Sequence, residues 1–178
     1  MSLPDGYAVR PLTADDAPGL TEAYRRNREH LAPWEPVREE SFYTETGQAE
    51  LLAARLVSDA AGHGMSWLVV RDDLVVGRVN LSNIVRGVFQ SAHAGYWVDH
   101  EHQGRGIATA GLRFACEQAA RAGLHRVEAG TLAHNTASQR VLRSAGFDEI
   151  GFAPRYLFIA GDWQDHTLFQ RILHDRPL

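Results

Sequence analysis

The sequence holds a single cysteine, Cys116, among 178 residues. No disulfide can close within the chain, and a reducing compartment, the cytoplasm, is the expected setting. No apolar run approaches the roughly 18 residues that a membrane-spanning helix needs, so no membrane role is expected. The first residues, Met1-Ser2-Leu3-Pro4-Asp5, lack a basic segment followed by an apolar one, which argues against a secretory signal. Positive charge is not in excess either: the formal net charge is −4. Direct binding of nucleic acid, which takes a basic surface, is therefore not expected, although a local basic patch can still hold one small anion. Internal repeats, low-complexity stretches and Pro/Gly/Ser-rich linkers are missing, which points to one domain over residues 1–178. The 44% hydrophobic and 22% charged residues are ordinary for a globular domain of that size.

What is present is an alternation of short strand patterns and helical patterns. Residues 7–12 alternate as a first strand. Thr13 stands three residues before Asp16, close to a capping box, and a polar helix is expected to about residue 28. Residues 30–43, with Pro33, Trp34, Pro36, Phe42 and Tyr43 among charges, read as an irregular aromatic loop. A second helix is expected over 46–61, with Leu52, Ala53, Leu56, Val57 and Ala60 on its buried face. Strands follow at 65–71, 74–83 and 91–98, the first two joined by a tight turn at Asp72-Asp73. After a glycine-bearing loop at 99–106, a helix runs over 107–122, its apolar stripe formed by Ala108, Gly111, Leu112, Ala115 and Ala119. The remainder reads as strand 126–131, helix 136–144, strand 147–152, and a last strand pair, 156–159 and 165–173. This order predicts an α+β protein with a mixed, mostly antiparallel sheet flanked by helices, not a regular β-α alternation.

The stretch that carries chemistry is Gln103-Gly104-Arg105-Gly106-Ile107-Ala108-Thr109. A strand enters a loop with two glycines, and the loop opens a helix. Glycines let backbone N–H groups approach a ligand, and the helix start adds unpaired donors and partial positive charge. This is a site suited to a pyrophosphate, and Arg105 can add a charge-assisted contact. A P-loop is excluded, since no Gly-Lys-Ser/Thr follows. Gly104-x-Gly106-x-x-Thr109 lacks the third glycine of a dinucleotide fingerprint, and residues 99–103 separate it from the strand. A glycine-rich helix start without a ligand and a coenzyme A site are the other readings.

Gln103-x-x-Gly106-x-Ala108 resembles the Gln/Arg-x-x-Gly-x-Gly/Ala signature of the Gcn5-related N-acetyltransferases. A second block, Asn135-Thr136-Ala137-Ser138 with Val141-Leu142 and Ala145-Gly146-Phe147, resembles the family's helix beside the thiol end of coenzyme A. Residues 27–38 (Asn-Arg-Glu-His-Leu-Ala-Pro-Trp-Glu-Pro-Val-Arg) and 80–87 (Asn-Leu-Ser-Asn-Ile-Val-Arg-Gly) narrow the resemblance. So does the tail from Tyr156 through Gly161, Trp163 and Asp165-His166. Together they look like the RimJ/RimL-type ribosomal-protein-alanine N-acetyltransferases, from about residue 10 to residue 168.

The resemblance implies the GNAT fold, acetyl-CoA as acetyl donor with CoA as product, and a protein N-terminal alanine, on a ribosomal protein, as acceptor. An acetyltransferase for a small-molecule amine or antibiotic is the enzyme alternative. A non-catalytic CoA-binding or ribosome-assembly module is the alternative without catalysis. The cofactor set implied is Trp97, Val98, Gln103, Gly104, Arg105, Gly106, Ile107, Ala108, Thr109, Asn135 and Ser138. A strand bulge at Trp97-Val98 would turn a backbone N–H to the thioester oxygen. Many relatives place a tyrosine seven residues after the motif asparagine; here Leu142 stands there, and Ser138 becomes the candidate proton donor to the thiolate. Trp34, Glu35, Asn80, Ser82, Asn83 and Tyr156 are the implied amine pocket, with Glu35 also a catalytic candidate.

A free α-amine is partly neutral at pH 7, its pKa being about 7.7–8.0, so positioning can supply much of the rate. The general base is not legible: Glu35, Asp99 and His93 compete. His100-x-His102 has no third ligand in view, and no metal is expected. Asp165-His166 are strand neighbours facing opposite sides, which argues against a relay. Cys116 reads as core.

Overall fold

The computed structural model describes residues 3–176. Met1 and Ser2, the head of the stretch read for a signal, lie outside the described residues, as do Pro177 and Leu178. Seven strands form one sheet in the order β1-β2-β3-β4-β5-β7-β6. They are β1 (Ala8–Pro11), β2 (Met65–Arg71), β3 (Leu74–Val85), β4 (Ser91–Val98), β5 (Arg126–Leu132), β6 (Asp148–Ile159) and β7 (Asp162–Ile172). Every pairing is antiparallel except β4 with β5. The helices are α1 (Ala17–Arg26), α2 (Arg28–Leu31), α3 (Glu45–Ala60), α4 (Ile107–Arg121) and α5 (Thr136–Ser144).

Period-two alternation divides the sheet into two buried faces. On one face Trp67, Val79, Leu81, Val127 and Phe169 pack against Leu112, Ala115, Cys116 and Ala119 of α4 and Leu142 of α5. On the other, Leu68, Val70, Val75 and Trp97 pack against Leu20, Tyr24, Leu31 and Leu52 from α1, α2 and α3. Small residues let α4 lie close to the sheet: a Cβ on Gly111 would stand 3.9 Å from Val79.

The departures from the sequence reading have local causes. The start of the aromatic loop is helical, because Asn27, fully buried, donates from its amide to the Ala23 carbonyl and to Asp99 and holds the chain in a second short helix. Residues Glu40–Tyr43 form a 3-10 turn. The inner face of α3 is not the expected stripe: Gln48 and Leu52 are buried, whereas Ala53, Val57 and Ala60 are exposed. Gln48 is drawn inward by the Phe42 carbonyl, which accepts from its Nε2 at 2.6 Å. On α4 the stripe includes Ile107 and Cys116, while Ala108 is only partly covered. The two expected strands at 147–152 and 156–159 are one strand, β6. It passes through an irregularity where Arg155 has φ +49° and its N–H donates to the Asp165 carboxylate at 2.8 Å.

Candidate active site

The sheet opens where its one parallel pairing stops. β4 and β5 pair only over Ser91–His93 and Arg126–Glu128. Beyond that point β4 continues to Val98 against β3, and β5 continues to Leu132 against β7. The gap between them leads into a cleft of 610 Å³, lined by Tyr96–Val98, the loop before α4, the first turn of α4 and the inner face of α5.

The loop is fixed from behind by Asp99, which is wholly buried. Its carboxylate accepts from Arg26 Nε at 2.7 Å, from Asn27 Nδ2 at 2.8 Å and from the Glu101 N–H at 2.9 Å. Burial alone would push this carboxyl up; the hydrogen bonds from Asn27, Glu101 and Arg26 overcome it and hold the group below its ordinary value. With every contact engaged in structure, Asp99 is an anchor and no base. Gly104 and Gly106 then adopt φ +71° and +78°, which L side chains rarely take. A Cβ at either would meet nothing of the protein within 4 Å, so the glycines serve the backbone turn and an open approach, not packing.

Of the implied cofactor residues, Trp97, Val98, Gln103, Gly104, Gly106, Ile107, Ala108, Thr109, Asn135 and Ser138 share this cleft. Arg105 does not: its guanidinium turns back toward Tyr7 Oη at 3.4 Å and the Glu101 carbonyl at 3.3 Å. The expected bulge at Trp97-Val98 is absent, for the β3–β4 register runs without a shift from Gly77↔Val98 to Ser82↔His93. The gap itself leaves backbone N–H groups of β4 without a strand partner. The Asp99 N–H donates to Val76 on the β3 side, so by alternation the N–H groups of Tyr96 and Val98 face the gap, and that of Trp97 faces β3. The Trp97 indole lies on the far face, donating to Tyr24 Oη at 3.1 Å.

Asn135 caps α5: its Oδ1 accepts the Ser138 N–H at 3.0 Å. Ser138 therefore sits inside the first turn and is not itself the cap, which leaves its hydroxyl to the cleft. That hydroxyl lies 2.7 Å from Tyr96 Oη. Tyr96 lines the cleft and was not among the residues the sequence reading assigned to it. Strand alternation was the available signal, because it puts Tyr96 on the same side as Val98 and the glycine loop.

The implied acceptor residues divide. On the sheet face opposite Tyr96, a glycine stands on each side of the gap. A Cβ on Gly95 would meet the Asn80 amide at 3.5 Å, and one on Gly130 would meet His166 at 3.6 Å and Tyr156 at 3.8 Å. Asn80 and Tyr156 thus flank one opening. Ser82 is at its closed end, 3.4 Å from the His93 carbonyl, and His93 Nε2 is 3.3 Å from Glu128 on the same face. Asn83 is exposed at φ +50° in a strand irregularity and does not join them. Trp34 lines the cofactor cleft, its ring 5.7 Å from that of His134. Glu35 faces a separate 170 Å³ pocket with Tyr24, Arg28 and Arg38. Burial pushes its carboxyl up against the opposing pull of Arg38, at 3.5 Å, and Arg78.

The remaining candidates are each engaged by partners of their own. His100 Nδ1 lies 3.0 Å from Asn27 Oδ1 and His102 Nδ1 is 2.9 Å from Tyr7 Oη, so the two rings have separate partners. Among the described residues no three His, Cys, Asp or Glu side chains gather as a metal site. Asp165 takes the Arg155 N–H, whereas the His166 Nδ1 bonds the Gln164 carbonyl at 3.0 Å. Cys116 is core, its thiol pushed up to about 11 by burial. No helix among the described residues is long and apolar enough to cross a membrane.

Residues 8–148 match the model of the acetyltransferase (GNAT) domain family. The chain is 36% identical over 164 residues to the probable N-acetyltransferase YjcK of Bacillus subtilis, covering 90% of each chain. The ribosomal-protein-S5-alanine acetyltransferase of Vibrio fischeri superposes with a TM-score of 0.93 at 34% identity, over 99% of this chain and 98% of that one. Mycobacterium smegmatis RimJ, solved in complex with CoA-disulfide, superposes with a TM-score of 0.89 at 30% identity, over 93% and 81% of the two chains.

Proposed function

The chain belongs to the GNAT acetyltransferase family, and on that premise we propose that it acetylates the α-amine of a ribosomal protein that begins with alanine, using acetyl-CoA. The observation that carries this reading is the gap between β4 and β5, with an anion loop and a hydroxyl on one face and a glycine-walled opening on the other. The positive-φ glycines and the start of α4 fit a pyrophosphate, and the 610 Å³ cleft has room for the arm that follows it. Acetyl-CoA supplies an activated acetyl group as a thioester.

The protein's part is binding, orientation and proton handling. The N–H groups of Gly106 and the following helical residues take the phosphate charge. The Tyr96 and Val98 N–H groups stand where negative charge develops on the acyl oxygen. Ser138 presents its hydroxyl to the departing thiolate. The amine enters between Asn80 and Tyr156. It sheds one proton as its nitrogen bonds to the acyl carbon, and the sulfur takes up one as the carbon–sulfur bond breaks. His93, on the acceptor face beside Glu128, is our candidate to receive the amine's proton.

A protein substrate is favoured over a small amine by the surroundings of the opening. Tyr156, Phe158 and Trp163 are exposed on the β6–β7 hairpin, and exposed Val37 lies against Gly161 at its turn. An open apolar rim of this kind suits a polypeptide. We take residues 1–178 as one acetyltransferase domain that works in the cytoplasm, a reading supported by the continuous sheet and the lone buried cysteine.

The test is thiol release from acetyl-CoA with an alanine-starting peptide, the same peptide blocked at its N-terminus, and a panel of small amines. Turnover with the free peptide alone is expected. Turnover only with small amines would overturn the substrate reading, and acetyl-CoA binding without any turnover would leave a binding module. All 18 basic residues of the chain are arginine, so lysine self-acetylation cannot contribute background.

A further inference from the structure

We infer that the Tyr96 hydroxyl is a positioning group for acetyl transfer, holding the Ser138 hydroxyl so that the serine proton points at the thiol end of the cofactor cleft. This rests on the reading of Ser138 as the group that meets the thiolate.

The geometry is specific. Tyr96 Oη lies 2.7 Å from Ser138 Oγ and 3.2 Å from the Ser138 carbonyl oxygen. A tyrosine hydroxyl carries one proton, and a serine hydroxyl carries one proton and two lone pairs. Two arrangements are therefore open. In the first, Tyr96 donates to the carbonyl and accepts from Ser138 Oγ, and the serine proton is spent within the pair. In the second, Tyr96 donates to Ser138 Oγ, and the serine proton is free for the cleft. Both acceptors belong to one residue, so a small rotation of the phenolic O–H exchanges the two.

Negative charge arriving on a cleft sulfur selects the second arrangement, because only then does the serine have a proton to offer. No bond to Tyr96 forms or breaks. Burial pushes its hydroxyl up to about 12, so it remains a donor throughout the neutral range. Ser138 is thereby held at both ends, its N–H by Asn135 and its hydroxyl by Tyr96. Leu142 carries no hydroxyl and is fully buried in the core. The chain instead brings one in from β4.

The experiment compares Tyr96→Phe, Ser138→Ala and the double variant with the parent protein, using acetyl-CoA and an alanine-starting peptide. Tyr96→Phe is expected to lower kcat about tenfold, with acetyl-CoA affinity by calorimetry within about twofold of the parent. The double variant is expected to be no slower than Ser138→Ala alone, because Tyr96 acts through Ser138. Parent-like kcat in Tyr96→Phe alongside a slow Ser138→Ala would overturn the proposal and leave the Ser138 reading standing. Losses that multiply in the double variant would also overturn it. A parent-like Ser138→Ala would sink the Ser138 reading itself. Should Tyr96→Phe melt early, a multiply fluorinated tyrosine at position 96 keeps the shape and ionises at lower pH. The high-pH fall of kcat should then move toward neutrality, and an unmoved profile would count against Tyr96.

Discussion

The two arms around the gap are built in different ways. The cofactor arm, from Asp99 to Thr109, is made of backbone. Two glycines set its turn, and a buried carboxylate with three donors anchors it. The acceptor arm, from Pro33 to Arg38, is made of side chains resting on a hairpin. The Ala160 N–H donates to the Glu35 carbonyl at 3.0 Å, and a Cβ on Gly161 would stand 3.9 Å from Val37. An arm of backbone donors serves a ligand part that never changes. An arm of exposed side chains can differ between relatives that share the cofactor, and we propose that it contributes to the choice of amine.

That contrast breaks first at Asp99. Asp99→Ala removes the carboxylate that Arg26 and Asn27 share, leaving their N–H donors only the Val75 and Ala23 carbonyls, and should cost about 3 kcal/mol of stability in denaturant unfolding, with weaker acetyl-CoA binding. The charge of Asp99 has its own pH signature. Its folded pKa is depressed, so its contribution is complete above the unfolded carboxylate value of about 3.9 and is lost as pH falls below that toward the folded value. Asp99→Asn should flatten the acid limb of stability. A parent-like acid limb would remove the anchor role.

Gly106→Val comes next. Left-handed backbone costs an L residue about 1–2 kcal/mol, and its side chain would also stand in the ligand's approach. Acetyl-CoA affinity by calorimetry should fall about tenfold to hundredfold. Unchanged affinity in a folded variant would move the anion site elsewhere.

On the acceptor arm the expected effects are smaller and of another kind. Glu35→Gln should raise KM for an alanine-starting peptide by at most about tenfold, since a partly screened ion pair is worth about 1 kcal/mol. Its kcat and acetyl-CoA affinity should hold. A collapse of kcat would place the carboxylate at the chemistry and erase the distinction between the arms. The smallest effect is a control outside both arms: Val57→Lys, on the exposed face of α3, should change stability by less than about 0.5 kcal/mol.

How far the sequence can be read follows the same division. The glycine loop and the helix over 136–144 were legible because a glycine turn and a helix start are local events, whereas Asn135, read as a cofactor contact, proves to be the cap of that helix. The strands β2 and β4 were legible to the residue because alternation and turn signals bound them. The Tyr96–Ser138 contact was not, because it joins a strand to a helix 42 residues later. Nor was the second helix at Arg28, which depends on Asn27 reaching Asp99 across 72 residues. The α3 stripe misled because alanines sit on either face of a helix at little cost, while a glutamine takes the inner position by finding a backbone carbonyl. Glu35 and Trp34, adjacent in sequence, face different pockets, and no periodicity in a proline-flanked loop foretells that.

The substrate assignment is tested most directly by mass spectrometry of ribosomal proteins from cells with and without this chain. Loss of the α-acetyl group from one alanine-starting ribosomal protein is predicted, with its return on re-expression of the parent and not of Gly106→Val. An unchanged set of acetylated ribosomal N-termini would contradict the account.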